Sequence, residues 1–158
     1  MQLKNIVQED FTNYKTCSMF LGFPSCNWKC ERDCGKRGLC QNATLALTPS
    51  VEIDTKEVVT MYLDNPFSHA IVCGGLEPMD SLDDLLSLIT ELRKYTLDDI
   101  VIYTGYKKEE LLEVLPKFRQ FHNIVIKFGR FIPDDKPHYD EILGVTLVSS
   151  NQYAERIS

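Results

Sequence analysis

Four cysteines, Cys26, Cys30, Cys34 and Cys40, crowd into one short segment of a chain that contains six. Cys17 and Cys73 lie outside it, and Cys73 ends an apolar run, which suits a small buried hydrophobe. Clustered thiols serve either as a disulfide framework or as metal and redox ligands, and the compartment decides between them. The chain opens Met1-Gln2-Leu3-Lys4-Asn5 and continues into polar residues, with no apolar signal region and no run long enough to span a bilayer. A cytoplasmic protein whose cysteines bind metal is therefore expected. Two metal chemistries are open on spacing alone. Zinc would take all four thiolates in a closed tetrahedron, whereas an iron–sulfur cluster could use three and keep one iron open.

Elements must bring such a loop to a site. Ser18–Phe23 reads as a buried strand running straight into the cysteines. Further strands are expected at Ala70–Cys73, Ile100–Tyr103, Ile124–Phe128 and Leu143–Val148. Between them, Asp54-Thr55-Lys56-Glu57 has the shape of a capping box opening a helix through Leu63. Leu82, Leu85, Leu86, Ile89 and Leu92 follow a helical period over Ser81–Arg93, and a helix from Lys108 to Leu115 is expected to stop at Pro116. Strands alternating with helices predict an α/β fold: an open, partial (β/α) barrel with a mainly parallel sheet of about five strands. In such sheets the site lies at the carboxyl ends of the strands. Those ends carry the cysteine loop, Gly74-Gly75-Leu76-Glu77-Pro78, Thr104-Gly105-Tyr106, Gly129-Arg130 and Ser149-Ser150-Asn151-Gln152.

Composition limits the partners. At 158 residues one domain, 1–158, is expected. Hydrophobic residues at 44% and charged residues at 25% are ordinary for a folded chain. A formal charge of −6 argues against a nucleic-acid surface, and nothing in the sequence calls for a membrane. His69, His122 and His138 show no ligand spacing. The acidic residues from Asp80 to Asp84 read as charge at a helix N-terminus, and Trp28 as a cover for either the cysteine loop or the core.

The ordered set Phe23-Pro24-Ser25-Cys26, Cys30, Cys40-Gln41-Asn42, Gly74-Gly75-Leu76-Glu77-Pro78, Tyr103-Thr104-Gly105-Tyr106, Gly129-Arg130-Phe131 and Ser149-Ser150-Asn151-Gln152 resembles the radical S-adenosylmethionine activating enzymes. Within these it is most similar to the activases of the anaerobic, glycyl-radical class of ribonucleotide reductase. The resemblance implies a 4Fe-4S cluster and S-adenosyl-L-methionine as cofactors, with the cosubstrate cleaved reductively to a 5′-deoxyadenosyl radical. It implies a glycyl-radical protein as substrate and a reducing electron donor such as flavodoxin or ferredoxin. The cluster ligands carried over are Cys26, Cys30 and Cys40, with Cys34 the alternative third. The family's cysteines run C-x3-C-x2-C, whereas here Cys34 follows Cys30 after three residues and Cys40 after nine. Cys40-Gln41-Asn42 keeps the residue pattern that follows the family's third cysteine, and Cys34-Gly35-Lys36 does not. The cosubstrate residues carried over are Gly74, Gly75, Glu77, Thr104, Ser149, Ser150 and Asn151. Leu76 is an insertion in what is usually a G-G-E-P motif. Three other readings stand beside this one: a radical protein acting on a small molecule, a non-catalytic electron carrier, and a zinc-stapled module.

Overall fold

The computed structural model describes residues 1–158. In chain order the strands are β1 (Gln2–Leu3), β2 (Asn5–Asp10), β3 (Ser18–Phe23), β4 (Val51–Glu52), β5 (Ala70–Gly75), β6 (Asp99–Tyr103), β7 (Ile124–Phe128), β8 (His138–Asp140), β9 (Val145–Leu147) and β10 (Tyr153–Arg156). The helices are α1 (Lys29–Cys34), α2 (Ala43–Leu47), α3 (Thr55–Leu63), α4 (Leu82–Leu92) and α5 (Leu115–Arg119).

Six strands form one sheet in the order β10-β7-β6-β5-β3-β2. The inner neighbours β3, β5, β6 and β7 run parallel, while β2 and β10 close the two edges antiparallel. Two further antiparallel ladders, β1 with β4 and β8 with β9, stand apart. The expected mainly parallel, partial (β/α) barrel of about five strands is therefore wrong: the sheet is mixed, has six strands, and is served by short helices. Edge strands are the reason. Asn5–Asp10 and Tyr153–Arg156 are polar and largely exposed, so neither shows the buried apolar run by which the inner strands were recognised. Leu143–Val148 does not join the sheet at all; only Val145–Leu147 is strand, paired with β8.

The two faces of the sheet are covered unequally. Met19, Leu21, Phe23, Ile71, Cys73, Ile100, Ile102, Ile124 and Ile126 point to one face, where α3, α4 and α5 complete a core cluster of 22 buried residues. Asp54 caps α3 by accepting the Lys56 N–H at 2.7 Å, and Leu85, Leu88, Ile89 and Leu92 are the fully buried stripe of α4. The helix expected over Lys108–Leu115 is instead a 3-10 turn at Lys108–Leu111 followed by α5, with Pro116 in its first turn. A proline there loses no hydrogen bond, because the first amides of a helix have no intrahelical partner. On the other face Ala70, Val72, Val101, Val125 and Ala154 pack with Tyr14, Leu143 and Leu147 in a buried cluster of eight, flanked by the partly buried Phe20, Tyr103, Ile142 and Val145. That thinner cover leaves the carboxyl ends of the strands open.

Candidate metal centre

A cavity of about 500 Å³ occupies the open end. Its floor includes Phe20, Gly74, Tyr103 and Lys127, one residue from each inner strand. Cys26, Cys30 and Cys40 line it, together with Gln41, Asn42, Gly75, Leu76, Glu77, Thr104, Gly105 and Gln152. Cys34 is not among its lining residues.

The loop that delivers these thiols is built from local constraints. Lys29–Cys34 forms a short helix that Gly35 ends in the left-handed conformation at φ 67°, so Cys34 sits on the last turn. Gly38 turns again at φ 75°. The Glu31 carboxylate then accepts the backbone N–H groups of Gly38 at 3.0 Å and Cys40 at 3.4 Å, drawing Cys40 back beside Cys30. Cys40 lies near enough to interact electrostatically with both Cys26 and Cys30. Burial pushes the Cys26 thiol up to about 11, against a lowering by the Trp28 N–H, which donates to its sulfur at 3.3 Å. Burial also raises Cys40, whose sulfur accepts from Asn42 N–H. Thiols held in this way bind metal with release of protons.

A second set of contacts ties the loop to the rim. Asp80 accepts from Asn27 N–H at 2.7 Å, from the Asn27 amide at 3.1 Å and from the Tyr106 hydroxyl at 2.6 Å. Arg130, 6% exposed, donates to Asp33 at 2.6 Å, to the Gly105 carbonyl at 2.6 Å, and through both terminal nitrogens to Glu110 at 2.7 Å. Lys29 bonds Glu110 at 3.3 Å and lies 3.8 Å from the centre of the Tyr106 ring. Asp80 thus holds the cysteine loop, a role that its place in an acidic run concealed.

Gly74 and Gly75 end β5 and do different work. A Cβ on Gly75 would lie 2.7 Å from the Gly22 Cα, at a backbone φ of 84°, so this glycine lets β3 and β5 come together. A Cβ on Gly74 would meet the Phe20 ring at 2.8 Å, inside the cavity. Gly75 also gives its carbonyl to the Asn42 amide, which fixes the residue after the Cys40 turn against β5.

Glu77 is buried and fully oriented. It accepts from Met79 N–H at 3.1 Å, the Thr104 hydroxyl at 2.7 Å and Gly105 N–H at 2.8 Å. Burial nevertheless pushes its carboxyl up to about 7. Across the floor, Lys127 is 6% exposed and donates only to the Gly129 carbonyl, at 3.1 Å. Burial lowers it to about 8, and attraction to Glu77 offsets part of that. Sequence reading passed over Lys127 because it sits inside the apolar run Ile124–Phe128; the signal was a charge in a strand otherwise buried on both faces.

The C-terminal segment is placed differently from its expected reach. The Ser149 hydroxyl donates to the Ile132 carbonyl and accepts its N–H, and Ser150 bonds Asp135. Neither they nor Asn151 lines the cavity; Gln152 does, and its side-chain oxygen accepts the Ser149 N–H. Cys73 is fully buried in the main core and Cys17 faces Ser68, both away from the site.

The donor set fits a cluster better than a single ion. Zinc draws four ligands to about 2.3 Å from one point, whereas a four-iron cluster spreads its thiolates over separate irons. No three His, Cys, Asp or Glu side chains converge closely enough for one ion, and Cys34 stays outside the cavity that the other three share. No helix is long and apolar enough to cross a membrane.

The family model of a 4Fe-4S single cluster domain matches residues 15–153. No curated protein and no solved structure matches the chain. The chain belongs to the 4Fe-4S single cluster domain family.

Proposed function

We propose that this 4Fe-4S single cluster domain is a one-domain radical S-adenosylmethionine enzyme whose cluster is held by Cys26, Cys30 and Cys40, and that it generates a glycyl radical on a protein partner. The observation that carries the reading is that three thiols share one cavity with Gly74, Glu77 and Lys127. When bound, the cluster supplies the electron that cleaves the cosubstrate to methionine and a 5′-deoxyadenosyl radical.

The chain's own residues bind and orient. Gly74 lets the Phe20 ring lie close against β5, which shapes the cavity floor on which the methionine end would rest. Glu77 Oε2 accepts one bond, from Gly105, and keeps a lone pair for the ligand's ammonium group, whose charge would hold the carboxylate ionised. Thr104 acts through Glu77, which it positions. Lys127 has two N–H donors to spare for a carboxylate or ribose oxygen. Ser149, Ser150 and Asn151 support the wall from which Gln152 reaches the cosubstrate. An electron carrier would gain nothing from a buried carboxylate and a buried ammonium beside an open cavity, since both cost desolvation.

The test is anaerobic reconstitution with iron and sulfide, then reduction with S-adenosylmethionine present. Formation of 5′-deoxyadenosine is expected. A reducible four-iron cluster that yields none would leave a carrier, and turnover with a small molecule but no protein would replace the partner.

A further inference from the structure

Lys127 is the one cationic side chain among the residues that line the cavity, and Glu77 is the one carboxylate. Lys127 nevertheless enters no ion pair, with Glu77 or with any other acidic group. It is 6% exposed, and its single hydrogen bond runs to the Gly129 carbonyl at 3.1 Å, so two of its three donors are unused. The Tyr103 ring, with its centre 5.8 Å from Nζ, is a weak further partner. Burial lowers the ammonium to about 8, which leaves it protonated at neutral pH. A buried charge with neither water nor a counter-ion to compensate it is costly, and such charges persist where a partner meets them.

The missing counter-charge has a place beside it. β6 and β7 are neighbours, and the Thr104 N–H donates to the Lys127 carbonyl at 2.9 Å. One residue further on, a Cβ at Gly105 would lie 3.3 Å from the Cys30 sulfur and 3.5 Å from Glu77 Oε2. Cys30 therefore rests at the end of β6, next to the strand that carries Lys127, and its thiolate attracts the Lys127 ammonium. Three thiolates give a four-iron cluster net negative charge, which reduction increases. The basic groups of the loop and the rim do not answer that charge, because Lys29 and Arg130 are matched by Glu110 and Asp33.

We infer that Lys127 is the counter-charge of the cluster: its buried ammonium stabilises the reduced state more than the oxidised one and so raises the midpoint potential. The inference rests on the cluster assignment above. It is separate from any contact with the cosubstrate, since it acts before a ligand enters. At a buried site little solvent screening stands between the two charges. In the step concerned one electron leaves a low-potential donor, which is oxidised by one, and enters the cluster; no bond forms or breaks, and Lys127 keeps its proton.

The test is a redox titration of the reconstituted holoprotein, poised anaerobically with reduced viologens and read by electron paramagnetic resonance, with no S-adenosylmethionine present. In Lys127→Met the ratio of reduced to oxidised cluster at a fixed potential is expected to fall about tenfold, a midpoint about 59 mV more negative for one electron. Lys127→Gln, polar but uncharged, should shift the same way, whereas Lys127→Arg keeps the charge and should stay near the wild-type ratio. The cluster-free proteins give a second readout. Met replaces an unpaired buried charge with an apolar side chain, so Lys127→Met apoprotein should melt no lower than wild-type apoprotein. Wild-type midpoints in both the Met and Gln variants, or an Arg variant shifted as far as the Met variant, would overturn the counter-charge. A Met apoprotein that melts well below the wild type would overturn it as well, because the cation would then be compensated without the cluster. Failure of the wild type to take up any reducible cluster would instead remove the cluster reading, and this inference with it.

Discussion

Arg130→Met tests whether the charge clamp between the cysteine loop and the rim organises the metal centre. The substitution removes four hydrogen bonds, to Asp33, Gly105 and twice to Glu110. The Gly105 carbonyl left without its donor costs about 1 kcal/mol. Arg130, as the largest influence, holds Glu110 at about 2 against an ordinary 4.5; at face value that is about 3.4 kcal/mol. Glu110 is 30% exposed in its side chain and keeps Lys107 N–H and Lys29, so solvent reduces the real loss to about 1–2 kcal/mol. Asp33 is 50% exposed and adds less than about 1 kcal/mol. Relief of the buried guanidinium's desolvation gives some back, for a net loss of about 2–3 kcal/mol. In a chain of this length that lowers Tm by roughly 4–12 °C. The more specific readout is trypsin cleavage after Arg32, Lys36 and Arg37, which should accelerate well before global unfolding, together with faster loss of iron to a chelator. Arg130→Lys keeps the charge without the planar fork and should fall between. A lowered Tm with unchanged loop cleavage and iron retention would refute the clamp and leave Arg130 as a general stabiliser.

Other outcomes follow from the same geometry. Cys40→Ala should abolish cluster absorbance after anaerobic reconstitution, whereas Cys34→Ala should retain it; the reverse result would reassign the third ligand. Gly75→Val should destabilise the fold by more than about 2 kcal/mol, because a left-handed φ and a 2.7 Å approach to Gly22 are both lost to a β-branched residue; circular dichroism melting reads this, and a stable variant would contradict it. Glu77→Gln should leave iron content unchanged and weaken S-adenosylmethionine binding about tenfold by calorimetry, the cost of one lost polar contact near 1.4 kcal/mol; unchanged affinity would take Glu77 out of the site. Glu110 stabilises the folded state fully above its unfolded value of 4.5, and that contribution should disappear as pH falls from there to about 2. An acid denaturation midpoint insensitive to Glu110→Gln would argue against it.

Much of the site was legible before any fold was known, since Cys26 and Cys30 follow a buried strand and Gly74-Gly75…Glu77 closes another. The parts that were not legible share a cause. Gly75 reads as a ligand-binding glycine by its neighbours, yet its Cβ direction, set by strand pairing, points at Gly22 rather than into the cavity. Lys127 reads as one polar letter in an apolar strand, and only the pleat decides that it faces Tyr103 and Glu77. Ser149 and Ser150 have the chemistry of ligand contacts, but the segment between β7 and β8 takes up their hydroxyls at Ile132 and Asp135.

The sequence by itself determined the chemistry available: soft thiolates at close spacing, apolar runs that must be buried inner strands, and an acidic net charge. These are properties of residue type and of local period, which no partner in space can alter. Tertiary structure alone decided which thiol joins which cavity. Cys34 is nearer to Cys30 in sequence than Cys40 is, but a helix stop at Gly35 strands it on the last turn, and the Glu31 carboxylate brings Cys40 home. It also decided the sheet's edges, because a polar strand such as Asn5–Asp10 has no pattern of its own and takes its extended form from the ladder offered by β3. Long-range hydrogen bonding and the direction of each Cβ are three-dimensional facts, and they turned a row of reactive residues into one open-ended site.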